Sequence, residues 1–529
     1  MKIKSLLIGM LASTAFVACT NDESPVNNEQ AVAGGQESYV AVNLAMPGES
    51  RAAEDGGFTA GSGDENNVSK AVFLFLNERF EGCAEPCEVN GIDLIWEKTG
   101  LADHQNKKAT TLVIKNGNKQ VPAYIVAILN PTNKYTAQTS LADLKSEHSN
   151  FSANNTKGAF VMSNSVYKGE NGKEVVATPI SIDNVQSTPA LAQEKPVTIS
   201  VERVVAKVNV ENLSEAAAAW KSKETLTDGT SLETLKLNVL GWEVLQNNET
   251  NLIKKIDTAW DLGWNWNNAG YQRSYWAIDF AQGKRTFYKV EKMTNLASKY
   301  VEETVSPELG GANATNPYLL VRGQFVDAQN QPVELVEWRG EKYTKEGYLH
   351  FVASNPSVSQ YYYVEKENAD GTKEYASVSE EMLKLQDNIA NDWEASTVLN
   401  TTVEKFYTLT FKKNEQGKEV VDTPTEVAKS VVAAAVEAFG NVQYWNNGNT
   451  YYYVPIEHQT TDNGSYYGVV RNHIYNVTIS AINGFGTPVS DPDQAIDEPE
   501  NPTDDKSYLA AEVVVLKWKV VNQSVTLGE

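Results

Sequence analysis

The chain reads as an all-β protein with a few peripheral helices, organised as antiparallel β-sandwiches. Two observations carry that expectation. Short runs rich in Val, Ile, Tyr and Thr alternate apolar with polar residues along most of the 529 positions, and Asn, Gly and Asp clusters separate them. Helix start signals, by contrast, are few. Period-two alternation suits strands with one face buried and one wet. The length calls for two or more domains.

The chain opens with Lys2 and Lys4, an apolar run from Leu6 to Leu11, and small residues up to Cys19. Residues 1–18 therefore read as a secretory signal segment. The apolar run is well short of the roughly 20 residues a membrane-spanning helix needs. Cys19 follows Phe16-Val17-Ala18, which resembles a bacterial lipobox whose cysteine is diacylated. Two acyl chains suffice for stable anchoring where one is marginal. Residues 19–51 follow as a propeptide. It contains the strand-like segment Tyr39–Met46, with Val40, Val42, Leu44 and Met46 on one face, and it ends at Arg51 in the run GESRAAEDGG. Gly, Ser, Ala and acids surround that arginine, the setting proteases nick, which puts cleavage between Arg51 and Ala52.

Residues 52–211 are expected to form an N-terminal β-sandwich. Its candidate strands are Ala71–Leu76, Thr111–Ile114, Ala123–Leu129 and one long run, Val197–Val210. Ser140–Lys145 is a short helix candidate. Cys83 and Cys87 lie close together in CAEPC, and an exported chain meets oxidising conditions, so the pair is expected to form a local disulfide staple.

Residues 212–486 are expected to form a second sandwich, with strands at Leu235–Leu245, Pro317–Val326, Tyr361–Val364, Phe406–Phe411, Tyr451–Ile456 and His473–Ile482. Ser377-Val-Ser-Glu380 looks like a capping box opening a helix. Thr423-Pro-Thr-Glu426 looks like another, with Pro424 at the first helical position and Gly440 near the stop. The aromatic stretch Trp260–Trp276 offers Trp264, Trp266, Tyr271 and Trp276, which could stack on sugar faces or could plug a core.

Residues 487–506 are an acidic, Pro-rich tether, expected to be extended and unable to fold alone. Its aspartates match no EF-hand spacing. Residues 507–529 carry the apolar run LAAEVVVLKWKVV, in which Val514, Leu516, Trp518 and Val520 alternate with Lys517 and Lys519. This tail and Tyr39–Met46 could fill the same kind of groove. Loss of the first would leave a sheet edge ready for the second from another molecule. A tail expected to lie unpaired or loosely packed in its own subunit would then give a head-to-tail polymer that does not close.

No nucleophile elbow, zinc-protease motif or phosphate-binding glycine loop is present, and the five histidines are scattered, so neither an enzyme, a metal site nor a cofactor is expected. The formal charge of −23 argues against nucleic acid as partner.

With these segments in place the chain resembles the minor (short) fimbrillins, shaft subunits of Bacteroidales type V fimbriae. The likeness rests on the lipobox at Cys19, the arginine-terminated first strand, VERVVAKVNV (Val201–Val210), VVRNHIYNVTISAING (Val469–Gly484) and the tail VVVLKWKVVNQSVTL (Val513–Leu527). It implies two transthyretin-like sandwiches and export as an outer-membrane lipoprotein carrying palmitate-type chains. It also implies cleavage at Arg51 by a trypsin-like protease, and polymerisation by donor-strand exchange with copies of itself and with tip and anchor subunits. A monomeric glycan-binding lipoprotein is the competing expectation.

Overall fold

The computed structural model describes residues 38–45 and most of residues 65–522; the longest stretches outside the described residues are 1–37, 46–64, 99–105, 115–121, 151–159, 253–287, 306–316, 497–507 and 523–529. The described residues are mostly β-strand, joined by a few short helices.

The first hydrophobic core draws on residues 40–205. Lys70–Leu76 runs through it with Val72, Phe73, Leu74, Phe75 and Leu76 all buried. A nine-stranded sheet surrounds this core. Along its main path the strands stand in the order Cys87–Asn90, Lys70–Leu76, Tyr124–Leu129, Met162–Asn164, Val197–Arg203, Ser38–Ala45, Asn106–Ile114 and Ile95–Lys98. The short helix Leu141–Ser146 opens as expected: Ser140 Oγ accepts from Asp143 N–H, and the Asp143 carboxylate accepts from Ser140 N–H.

The long run Val197–Val210 is not one strand. It divides into Val197–Arg203, in the first sheet, and Val205–Glu211, in another. Arg203, Val204 and Val205 are all fully buried, which breaks the alternation. A strand that leaves one sheet for the next buries consecutive residues on opposite sides, and here that crossing joins the two cores.

The second core draws on residues 206–485 and is a sandwich. One sheet orders Lys299–Glu302, Val205–Glu211, His473–Asn483, Tyr508–Lys517 and Val520–Asn522; the other orders Lys236–Leu245, Tyr318–Val326, Asn449–Pro455 and Thr487–Pro488. Both contribute to one core around Trp242, Phe325, Trp445 and Tyr475. The Ala-rich helix Leu213–Ala219 packs on strands of both sheets.

A third core, residues 336–444, lies inside the region read from sequence as a single sandwich. The chain leaves the second sandwich after Tyr318–Val326 and returns at Asn449–Pro455, and these two strands pair with each other. The excursion builds a five-stranded and a four-stranded sheet with the helices Lys345–Ser354 and Lys429–Glu437 between. Two helix expectations fail here. After a single turn at Glu380–Met382, Leu383–Asp387 is a strand, because Leu383-Lys-Leu-Gln alternates with period two. Pro424 lies within the strand Glu419–Ala428, and the helix begins only at Lys429. That strand is a sheet edge, where the missing N–H is tolerated. Gly440, at φ +79°, does stand just past the helix end.

Candidate assembly site

The first strand, Ser38–Ala45, is an internal strand of its sheet. It pairs antiparallel with Asn106–Ile114 along its whole length, from Ser38↔Ile114 to Ala45↔Lys107. On the other side it pairs parallel with Val197–Arg203, from Val42↔Val197 to Ala45↔Ser200. Val40, Val42 and Leu44 are fully buried in the first core, as the alternation requires. Burying three such side chains contributes roughly 5–9 kcal/mol before the ladder hydrogen bonds are counted. Tyr39 N–H donates to Gln186 O at 2.8 Å, and Gln186 N–H returns a bond to Tyr39 O at 2.9 Å. The helix Pro189–Glu194 packs beside it, and Gln193 Nε2 donates to Thr111 Oγ1 on the neighbouring strand. Nothing in the sequence marked that helix beyond Thr188 before Pro189, a cap with proline at the first position.

Removal of this strand would leave the edges of two strands that face one another across an open core. Met46, Arg51, Ala52 and Cys19 lie outside the described residues.

Of the two expectations for the tail, unpaired or loosely packed, the first fails. Tyr508–Lys517 is not unpaired: it runs antiparallel along His473–Asn483 of its own chain, from His473↔Lys517 to Asn483↔Tyr508. Val520–Asn522 then folds back on it. Val514 and Leu516 stand opposite Asn476 and Ile474, and Val520 opposite Leu516, while Trp518 lies outside the described residues. The strand His473–Asn483 offers a free edge beside a well-packed core (Tyr475, Val477 and Ile479 are buried), and an apolar tail covers it. The tether also departs from expectation. Thr487–Pro488 pairs with Asn449–Pro455, Val489 and Ser490 are buried, and Ala495–Ile496 pairs with Tyr288–Lys289. Asn446 anchors it twice, donating from its backbone to Val489 O and from Nδ2 to Ser490 O. Its acids and prolines concealed short segments that add to existing sheets.

Between strand and tail lies a buried polar junction the sequence reading missed. Arg203 is fully buried; its Nε donates to Glu65 O at 3.0 Å and its Nη1 to Asn472 Oδ1 at 3.2 Å. Asn472, in the left-handed region at φ +57°, donates its N–H to Val205 O. The Glu65 carboxylate accepts from Lys207 Nζ at 2.8 Å and from the Tyr300 hydroxyl. Next to it Arg471 pairs with Glu303 at 2.9 Å, both buried. His458 and His473 also meet here, with ring centroids 5.1 Å apart. Arg471 O can only accept, so His473 Nδ1 carries the hydrogen in that 2.7 Å bond. The Tyr475 hydroxyl accepts from Val470 N–H and shares a 2.7 Å hydrogen bond with His458 Nδ1, and burial pushes its pKa well above the ordinary tyrosine range. The sequence signal was an arginine within an alternating apolar run and the polar triplet Arg471-Asn472-His473.

The expected Cys83–Cys87 staple is absent. Cys83 is a free, buried thiol whose Sγ donates to Phe75 O at 3.4 Å, and Cys87 is disulfide-bonded. Closeness in sequence did not bring the sulfurs together, because Cys87 is held in a strand opposite Phe73 while Cys83 precedes that strand. Trp264, Trp266, Tyr271 and Trp276 lie outside the described residues. Among the described residues no cluster of His, Cys, Asp and Glu could hold a metal ion, and no helix is long and apolar enough to cross a membrane.

The first strand is thus internal to one sheet, and the C-terminal strand lies beside His473–Asn483 in another. Residues 443–524, which include His473–Asn483 and the tail, match the family described as major fimbrial subunit protein type IV, fimbrillin, C-terminal. A minor fimbrium subunit, Mfa1, of Porphyromonas gingivalis is 23% identical over 351 residues, covering 61% of this chain and 67% of its own length. The tip fimbrial protein Mfa3 of Porphyromonas gingivalis, with a C-terminal truncation, has a TM-score of 0.29 at 11% identity, with 91% of this chain and all of that one covered. A fimbrial assembly protein from Parabacteroides distasonis has a TM-score of 0.27 at 10% identity, covering 73% of this chain and 99% of its own. The chain is thus similar to fimbrillins over residues 443–524 and to a minor fimbrium subunit over 351 residues.

Proposed function

We propose that the chain is a structural shaft subunit that polymerises by exchange of strands. It is exported as a lipoprotein through Cys19 and reaches the outer membrane. A trypsin-like protease then cleaves between Arg51 and Ala52, and the first strand leaves its sheet. The tail of the next copy, with Val514, Leu516, Trp518 and Val520 turned to the vacated core, takes its place, and tip and anchor subunits complete the filament. Adhesion is then a property of the assembled fimbria.

The observation that carries this reading is the position of Ser38–Ala45. It is flanked on both sides and fills a core, yet joins the rest of its domain only through the segment that holds Arg51. The direction of exchange follows from pairing. At home the tail has one long neighbour, His473–Asn483, and a short return strand. In the vacated groove it would stand between two strands and close an open apolar core, so the exchange is downhill.

Surface material run on SDS gels with and without boiling tests the reading. Wild-type subunits should give a ladder that collapses on heating. Arg51→Ala should give a single unprocessed band. A ladder of Arg51→Ala subunits whose N-terminus still lies upstream of residue 51 overturns it.

A further inference from the structure

We propose that Arg203 and Asn472 form a latch that ties the release of the tail to the state of the first strand. This rests on the strand-exchange reading and adds to it a pair of positioning residues.

The connection is short and continuous. Residues Val197–Ser200 pair with the first strand. Three residues further on, Arg203 is fully buried and reaches out of its own sheet to Asn472 Oδ1, while Asn472 N–H bonds back to Val205 O. Asn472 immediately precedes His473, where the ladder with the tail begins at His473↔Lys517. One covalent strand and one clamped asparagine therefore join the groove of one sandwich to the tail-bearing edge of the other. The clamp holds main chain as well as side chain, since Asn472 touches residues on both sides of the Val204 crossover. Glu65 fixes the far side of the guanidinium by accepting from Arg203 Nε through its carbonyl.

With the first strand in place, Val197–Ser200 is held on its ladder, Val201–Arg203 pairs with Met162–Asn164, and Arg203 keeps Asn472 in its left-handed conformation. That conformation sets the entry of His473–Asn483 and the register of the tail. Loss of the first strand frees Val197–Ser200 on that side. Arg203 then gains room to shift, and the end of the tail ladder nearest Asn472 opens first. Packed elements with two arrangements pass on such small shifts as discrete changes. A subunit thus keeps its own tail until its groove is vacant, which prevents tails from being offered by unprocessed molecules.

Hydrogen exchange on dilute chains, verified as monomers by light scattering, tests the latch without requiring polymer. Amides of residues 513–516 are compared in the full chain and in the chain that starts at Ala52. The expected result is exchange at least tenfold faster in the processed chain. Asn472→Gly keeps the left-handed backbone and removes the side-chain acceptor; it should make the tail rates equal in the two chains, at some cost in melting temperature because the buried guanidinium loses that acceptor. Arg203→Lys, which keeps a buried cation but not the fork, should narrow the difference in the same direction and serves if the glycine variant is unstable. Equal tail rates with and without the first strand in the wild-type background overturn the latch, as does a full tenfold difference that survives in both variants. If processed monomers show the fast tail but never form a ladder, the strand-exchange reading fails and the latch stands.

Discussion

At the residue scale, burial decides which side chains act and which are inert. Cys83 shows this most simply. Its thiol is buried against Phe75 O, and burial pushes it up to about 11, from an ordinary value of 9.0. An acid whose folded pKa is raised lends stability that is whole below the unfolded value and is lost as pH climbs through the folded one. Urea unfolding should therefore show wild type losing ~2–3 kcal/mol relative to Cys83→Ala between pH 9 and 11, with no such divergence below pH 8. Val42 sits at the other extreme of consequence. Val42→Asp places an unpaired charge in a dry core and should cost roughly 3 kcal/mol or more in denaturant melts of the full chain. The same substitution in a chain already lacking residues 1–51 is impossible by construction, so the destabilisation belongs wholly to the first strand.

At the scale of elements, the tail is the sharpest test. Deletion of Leu509–Glu529 should uncover the edge of His473–Asn483 and lower the melting temperature by several degrees. The sandwich should still fold, because its core also draws on Trp242, Phe325 and Trp445 from the facing sheet and its flanks. Calorimetry of the truncated chain checks both halves of that statement. Elements with one strong local cause were legible in sequence. Ser140 and Asp143 cap a helix with bonds that need nothing distant. Lys236–Leu245 and Tyr318–Val326 alternate strongly enough to be placed within a residue or two. Elements settled by distant partners were not. Leu383–Asp387 followed a capping signal that outweighed its short period-two alternation, and its pairing with Glu394–Leu399 makes it a strand. Ala495–Ile496 is a strand only because Tyr288–Lys289 lies beside it. The first strand was readable because its apolar face is regular, whereas the Arg203–Asn472 contact joins positions 269 residues apart, so the arginine in its apolar run and the triplet Arg471-Asn472-His473 do not reveal that they meet.

For the molecule as a whole, the inserted unit of residues 336–444 was invisible for a different reason. Its strands have the same texture as those of its host, so composition never shifts at its borders. What marks it is that its first and last strands pair, Leu335↔Trp445 and Val336↔Tyr444, next to a host hairpin that would close without it. It is therefore joined to the second sandwich through these paired connections.

The ladders that flank Ser38–Ala45 also bear on mechanics. They run along both sides of the strand and along its axis. A neighbour's strand lodged in that slot would be tensed lengthwise when a filament is pulled. Its hydrogen bonds would then be loaded together in shear instead of being peeled one at a time like a zip. A fimbria joined this way would resist flow far better than its modest non-covalent joints suggest, yet come apart when heat loosens the sandwich that grips each strand.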